Sequence, residues 1–204
     1  MQGFILHTQK VKDEDLLVCI LSKTSIIRTY RFYGLRHSTI LSGYKIDFAL
    51  EDNPRFLPRL KDVLHLGFQW ILHREKMFLW QEFIRLLYAH LKELGEIDEF
   101  YFELVNESAK RFEKQNPKRV ILDSYLQILE FEGRLHKEFS CFLCDEKIKG
   151  DITLVRAFLP SHKPCVFGLE LNRIKLENFY ESKNCAIFND EEIEKMYMLV
   201  KEGL

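Results

Sequence analysis

Between Leu16 and Ile46 the sequence has no aspartate or glutamate, although Lys23, Arg28, Arg31, Arg36, His37 and Lys45 all fall there. The formal net charge of the 204-residue chain is −1, so this is a local imbalance, and coating of nucleic acid by charge alone is excluded. No apolar run reaches the length needed to cross a bilayer, and Asp13, Glu14 and Asp15 interrupt the first hydrophobic stretch. The opening Met-Gln-Gly-Phe-Ile-Leu-His lacks the basic and long apolar regions of a secretory signal, so a cytoplasmic protein with no membrane partner is expected. There is no P-loop, dinucleotide-binding glycine motif, HExxH or GxSxG. The carboxylate runs Asp13-Glu14-Asp15 and Asp190-Glu191-Glu192 suit a turn and a helix N-terminus, and His65, His73 and His90 are dispersed. No enzyme is expected. Five cysteines is an odd number, and their spacing does not read as a disulfide framework.

What is present is a globular composition, 47 % hydrophobic and 30 % charged, with enough length for a real core. Residues 3–8, 16–22 and 25–33 read as strands. In Tyr44-Lys-Ile-Asp-Phe-Ala-Leu50 the residues Tyr44, Ile46, Phe48 and Leu50 alternate with Lys45, Asp47 and Ala49, as a half-buried strand requires. Leu57 to Leu66 offers a fifth. Five short strands separated by turn signals predict a small barrel. At Gly67 the pattern switches, so a first domain is expected over 1–67 and a second over 68–204.

In that second part, apolar residues from Phe68 to Leu94 recur at three- and four-residue steps, which predicts a helix, broken near Arg74 and closed by Gly95. Its aromatics Trp70, Phe78, Trp80 and Phe83 are expected in the core. Glu96 to Gln115 reads as a second helix, and Pro117 begins a third running to about Leu135. Asn189, followed by three carboxylates, caps a last one. Cys19 and Cys185 sit in apolar surroundings and read as small buried hydrophobes.

Two constellations carry chemistry. The acid-free window is interleaved with Tyr30, Phe32, Tyr33 and Tyr44, and fixed positive charge with flat rings is what a groove for unpaired nucleic acid needs. Lys23, Arg28, Arg31, Arg36 and Lys45 are candidates for phosphates, Tyr30 and Tyr33 for bases. Strand alternation puts Arg28 and Tyr30 on one face and Arg31 and Tyr33 on the other. With Ile26, Tyr30 and Phe32 taken as the core-facing set, Arg31 and Tyr33 are expected in the groove, and the window in one positively charged furrow. The other possibility is an ordinary sheet with a basic polar face. Lys110 to Lys114 with Lys118 and Arg119 forms a second basic cluster, either a solvated helix face or a site for an acidic tail.

The second constellation is Cys141-Phe-Leu-Cys144 with His162-Lys-Pro-Cys165. Two short pairs can supply the four N or S ligands of tetrahedral zinc, and with every position filled by protein the metal would be structural. Cys141, Cys144, His162 and Cys165 are the candidate ligands, in an insert at about 139–168 with Ile152–Phe158 as its strand. Reduced, unmetallated cysteines are the alternative.

The order of parts resembles the bacterial RecO recombination mediators. The resemblance rests on Gly3-Phe-Ile-Leu-His…Lys12-Asp-Glu-Asp-Leu-Leu-Val18 as opening strand, turn and second strand, on the switch at Gly67, and on a CxxC placed after a helix. It implies an α+β chain, with a five-stranded OB-fold barrel followed by an α-helical domain bearing an inserted zinc-binding loop. It also implies a DNA repair and homologous recombination protein that binds single- and double-stranded DNA and anneals complementary strands. Such a protein helps load RecA onto DNA coated by single-strand-binding protein, partners RecR, and takes the acidic C-terminal tail of single-strand-binding protein; it would be cytoplasmic and nucleoid-associated. The second CxxC typical of zinc-bearing members is replaced here by HxxC, and the loop Gly34–Thr39 is shorter and less basic than theirs. The rival is a non-enzymatic protein-interaction module braced by a structural zinc loop.

Overall fold

A computed structural model describes residues 1–204, which form two compact units, Met1–Lys114 and Gln115–Leu204. The first is built on a closed barrel of strands β1 (Gln2–Lys10), β2 (Leu16–Leu21), β3 (Ile26–Arg31), β4 (Lys45–Glu51) and β5 (Arg59–His65), in the order β1-β2-β3-β5-β4. The pairs are antiparallel except β3 with β5, which run parallel and meet at Tyr30 and Arg59. Closure of β4 on β1 leaves no free sheet edge to template aggregation. The interior is filled by Ile5, Leu16, Val18, Ile20, Ile40, Ile46, Phe48 and Leu60, with Tyr44 and Leu50 packed against them. The alternating face expected in β4 is therefore the one turned inward.

β1 does not alternate because it is buried on both sides. Ile5 enters the barrel, whereas Phe4 lies against Trp80 and Phe102, and a register irregularity between Ile5 and His7 re-aims the strand. Those outer partners belong to helices α1 (Arg74–Leu91) and α2 (Glu99–Arg111), and a 3-10 turn over Gln69–Leu72 precedes α1. The break expected near Arg74 is this junction. The helices are fastened to the barrel by polar groups as well as apolar ones. Trp80 Nε1 of α1 donates to the Gly43 carbonyl at 2.8 Å, and within the helical layer Trp70 Nε1 donates to the Ala109 carbonyl of α2 at 2.7 Å. Gly43 is required here, since its φ is +93° and a Cβ would meet the Trp80 indole at 2.8 Å. The switch from strands to helices falls at Gly67, but the compact unit runs on to Lys114 because α1 and α2 cover the barrel.

Two helical expectations are corrected. Gly95 is not a left-handed cap. Instead α1 ends at Leu91, and the Gly95 carbonyl accepts from Ile26 N in an edge contact to β3. Phe78 is 57 % exposed, whereas Trp70, Trp80 and Phe83 are buried. An apolar stripe read at three- and four-residue steps is wider than the face the core accepts.

The second unit begins with α3 (Pro117–Phe131), whose Asn116 cap accepts from Lys118 N. A small sheet follows, with β6 (Ile152–Leu154) between β7 (Pro160–Ser161) and β8 (Leu169–Leu171). The strand expected over 152–158 is shorter, because Arg156–Phe158 turns as a 3-10 segment with left-handed φ at Ala157 and Phe158. Helix α4 (Arg173–Ser182) was not foreseen: only Leu176, Phe179 and Tyr180 of its face are buried, too few to set a period. Helix α5 (Asp190–Lys201) starts with the complete capping box of Asn189 and Glu192. Cys19 and Cys185 are buried and free, as expected. No helix is long and apolar enough to cross a membrane.

Candidate nucleic-acid face and candidate metal centre

The seven residues singled out in the acid-free window lie in different environments. β3 faces the other way round from the expected arrangement. Thr29 is fully buried, with its hydroxyl donating to the Val18 carbonyl, and Ile27 packs on the barrel core, so the odd-numbered residues face inward. Arg31 shares that side and donates to the Leu60 carbonyl at 2.7 Å. Arg28, Tyr30 and Phe32 face outward, and Phe32 is 46 % exposed. The pair Ile26-Ile27 reads equally well in either register, which is why the sequence misleads. At the tip of β3, Tyr33 adopts a left-handed φ of 51° and is exposed.

The charges are not gathered into one furrow. Arg36 is ion-paired with Glu14 and lies over the Tyr33 ring, and Lys23 pairs with Glu99 of α2 at 2.7 Å. Lys45 donates to Asn106 Oδ1 at 2.9 Å between the Phe4 and Phe102 rings, and burial, reinforced by Lys110, holds its ammonium below the ordinary lysine range. Arg28 donates to the Lys92 carbonyl at 2.6 Å. Asp15 organises the strand tip by accepting from the Tyr30 hydroxyl at 2.6 Å and from Tyr33 N at 2.7 Å. Those two donors, the hydroxyl first, hold its carboxyl below the usual aspartate range. The neutralising acids lie just outside the window or on a distant helix.

What the outer face of β3 does offer is an aromatic hollow of about 430 Å³ lined by Tyr30, Phe32, Asn53, Phe56, Leu57 and Arg59. Tyr30 meets Phe32 edge-on with centroids 4.9 Å apart, and the Arg59 guanidinium, ion-paired with Glu51 at 3.6 Å, lies 5.1 Å over the Phe32 ring. Phe56, from the β4–β5 connection, is 76 % exposed. Exposed flat rings beside a guanidinium can stack an unpaired base and hold its phosphate. Of these, only Tyr30 is among the site candidates that the sequence indicates. Phe56 and Arg59 lie outside the acid-free window, and the exposed aromatic in Asn53-Pro54-Arg55-Phe56 was the available signal. In the basic run at 110–119, Lys110 pairs with Glu107, Lys118 with Glu194, and Arg119 with Asp190 and two carbonyls.

Residues 1–71 match the family model described as RecO N terminal. This amino-terminal barrel is similar to the RecO N-terminal domain. No curated protein matches the chain. The RecO domain therefore has the OB fold that the closed five-stranded order displays, and the family is one of DNA repair and recombination.

In the second unit the two short pairs do converge. The ligand atoms of Cys141, Cys144, His162 and Cys165 all lie within 4.8 Å of one another, and could hold a metal ion. A bridge between Ser140 and Lys147 turns the chain so that Cys141 and Cys144 face the same point, and the β6–β7 hairpin delivers His162 directly after Ser161. His162 Nδ1 is 3.4 Å from Cys144 Sγ and 4.0 Å from Cys165 Sγ. A zinc ion with bonds of about 2.1–2.3 Å spaces its ligands roughly 3.5–3.8 Å apart, so the cluster closes on such an ion with small shifts. Burial raises the Cys141 thiol, but backbone N–H groups of His162, Leu143 and Cys144 outweigh it and bring the value to about 5. Burial and the neighbouring Cys141 and Cys144 push Cys165 up to about 11. Three sulfurs this close cannot all be thiolates without a cation between them.

Proposed function

We propose that the protein is a non-enzymatic recombination mediator that binds single- and double-stranded DNA and anneals complementary strands. In the same reading it helps load RecA onto DNA coated by single-strand-binding protein, with RecR and the tail of single-strand-binding protein as partners, in the cytoplasm. The observation that carries this is the family match over residues 1–71, on a barrel whose outer face bears exposed rings beside Arg59. The barrel, residues 1–67, is the nucleic-acid-binding part, with Arg28 and Tyr30 on its surface.

Annealing needs no bond to be made or broken. Cations that neutralise phosphates lower the repulsion between two strands, and bases held on rings with open edges are free to pair. The Cys3His cluster would hold structural zinc through Cys141, Cys144, His162 and Cys165. That ion would supply cross-linking of two loops and no chemistry on substrate, because no ligand position remains for water.

Labelled oligonucleotide tests the reading. Binding in the micromolar range or tighter is expected, weakening with a log–log salt slope of roughly −0.7 for each phosphate neutralised. Complementary strands should anneal faster in its presence. No binding at low salt overturns the proposal in favour of an interaction module.

A further inference from the structure

Strand β1 and helix α1 bound a second outward-facing cleft. His7 of β1 and Tyr88 of α1 stack there, with ring centroids 4.4 Å apart and planes inclined by 11°. The stacked pair stands between two hollows of about 410 and 260 Å³ and lines both. Arg85 and Lys92 border the first, Arg28 and Lys92 the second, and Glu93 is the one carboxylate on either lining. The second hollow adjoins the aromatic one through Leu57, which lines both.

The cations here differ from those of the acid-free window. Arg85 and Lys92 are exposed, and neither side chain has an ion-pair or hydrogen-bond partner. Arg28 spends one donor on the Lys92 carbonyl, while a guanidinium carries five N–H groups in a planar fork. Capping of the α1 C-terminus explains that single bond. It does not explain two further unpaired cations gathered around a ring stack on the same face.

We propose that this cleft is a binding site for single-stranded polynucleotide, with phosphates at Arg28, Arg85 and Lys92 and bases set beside the His7–Tyr88 pair. The proposal rests on the nucleic-acid reading of the barrel and adds a face of α1 to it, making one track from α1 to the β4–β5 connection. Unpaired strand is the ligand class because hollows on both sides of a ring pair accept flat base faces, which a duplex hides within its own stack.

The test is equilibrium binding of a fluorescein-labelled oligothymidine across a salt series. It compares wild type with the Arg85→Ala/Lys92→Ala and the charge-conserving Arg85→Lys/Lys92→Arg double variants. The alanine pair should bind about tenfold more weakly at low salt, and its salt slope should be shallower by roughly 1.4, two contacts at about 0.7 each. The charge-conserving pair should keep the wild-type slope. If the alanine pair binds like wild type, this site is wrong while DNA binding by the barrel stands. If both double variants lose binding alike, the contact is not electrostatic and the proposal also fails. Absence of binding by wild type itself removes the broader function as well.

Discussion

The barrel and the cysteine-bearing insert are two ways of holding a short chain in place. Every strand of the barrel contributes apolar side chains to its interior, seven of them buried together with Ile40 from the β3–β4 connection, and closure leaves no unpaired edge. At the metal end of the insert, Phe142, Leu143, Cys144 and Asp145 are exposed, as are Lys163, Pro164, Cys165 and Phe167. Toward its base Phe139, Ile148, Ile152, Leu154 and Phe158 are buried, and at the tip Cys141 is. A loop with so little apolar surface to remove from water needs another source of order, and a metal ion held by the four converging N and S ligands would supply one. The barrel is stabilised by dispersed contacts, whereas the insert tip would be stabilised at a single point, by an ion held in that cluster. Damage should therefore be graded in the first and all-or-none in the second.

The largest effect separates them directly. Cys144→Ser with His162→Ala leaves two ligands, and zinc content by elemental analysis should fall from about one ion to near none. Binding energies for such units are on the order of 10 kcal/mol, so the insert should become sensitive to protease while the barrel keeps its amide-exchange protection. Loss of protection in the barrel would break the contrast. A chelator should reproduce the variant.

Next comes Ile20→Ala, at a fully buried barrel position. It should lower unfolding free energy by about 2–5 kcal/mol in urea titration. The metal content should not change.

The smallest effect sharpens the picture at the barrel rim. Asp15 is held below its ordinary value by Tyr30 and Tyr33, so its contribution to stability is full above the unfolded carboxylate value. That contribution is lost as pH falls through the folded one. In Asp15→Asn the acid side of the pH–stability curve should flatten slightly, and an unchanged curve would show that the strand tip gains nothing from that carboxylate.

Sequence alone determined what depends on near neighbours. The alternating residues 44–50 selected one buried face, Asn116-Pro117 started α3, and Asn189 with Glu192 capped α5, because each signal acts within one turn or one strand. The cysteine and histidine spacing likewise makes a four-ligand cluster legible in the sequence. Tertiary structure decided the rest. Which side of β3 turns inward depends on the partner strands, and Ile26-Ile27 permits both answers. Whether a cation is free depends on acids far away in sequence: Glu99 reaches Lys23 across 76 positions, and Glu14 takes Arg36 across 22. The Arg85, Lys92 and Arg28 cleft arises only where α1 crosses the barrel. Charge acts through space, and an acid-free stretch of chain is not an acid-free surface.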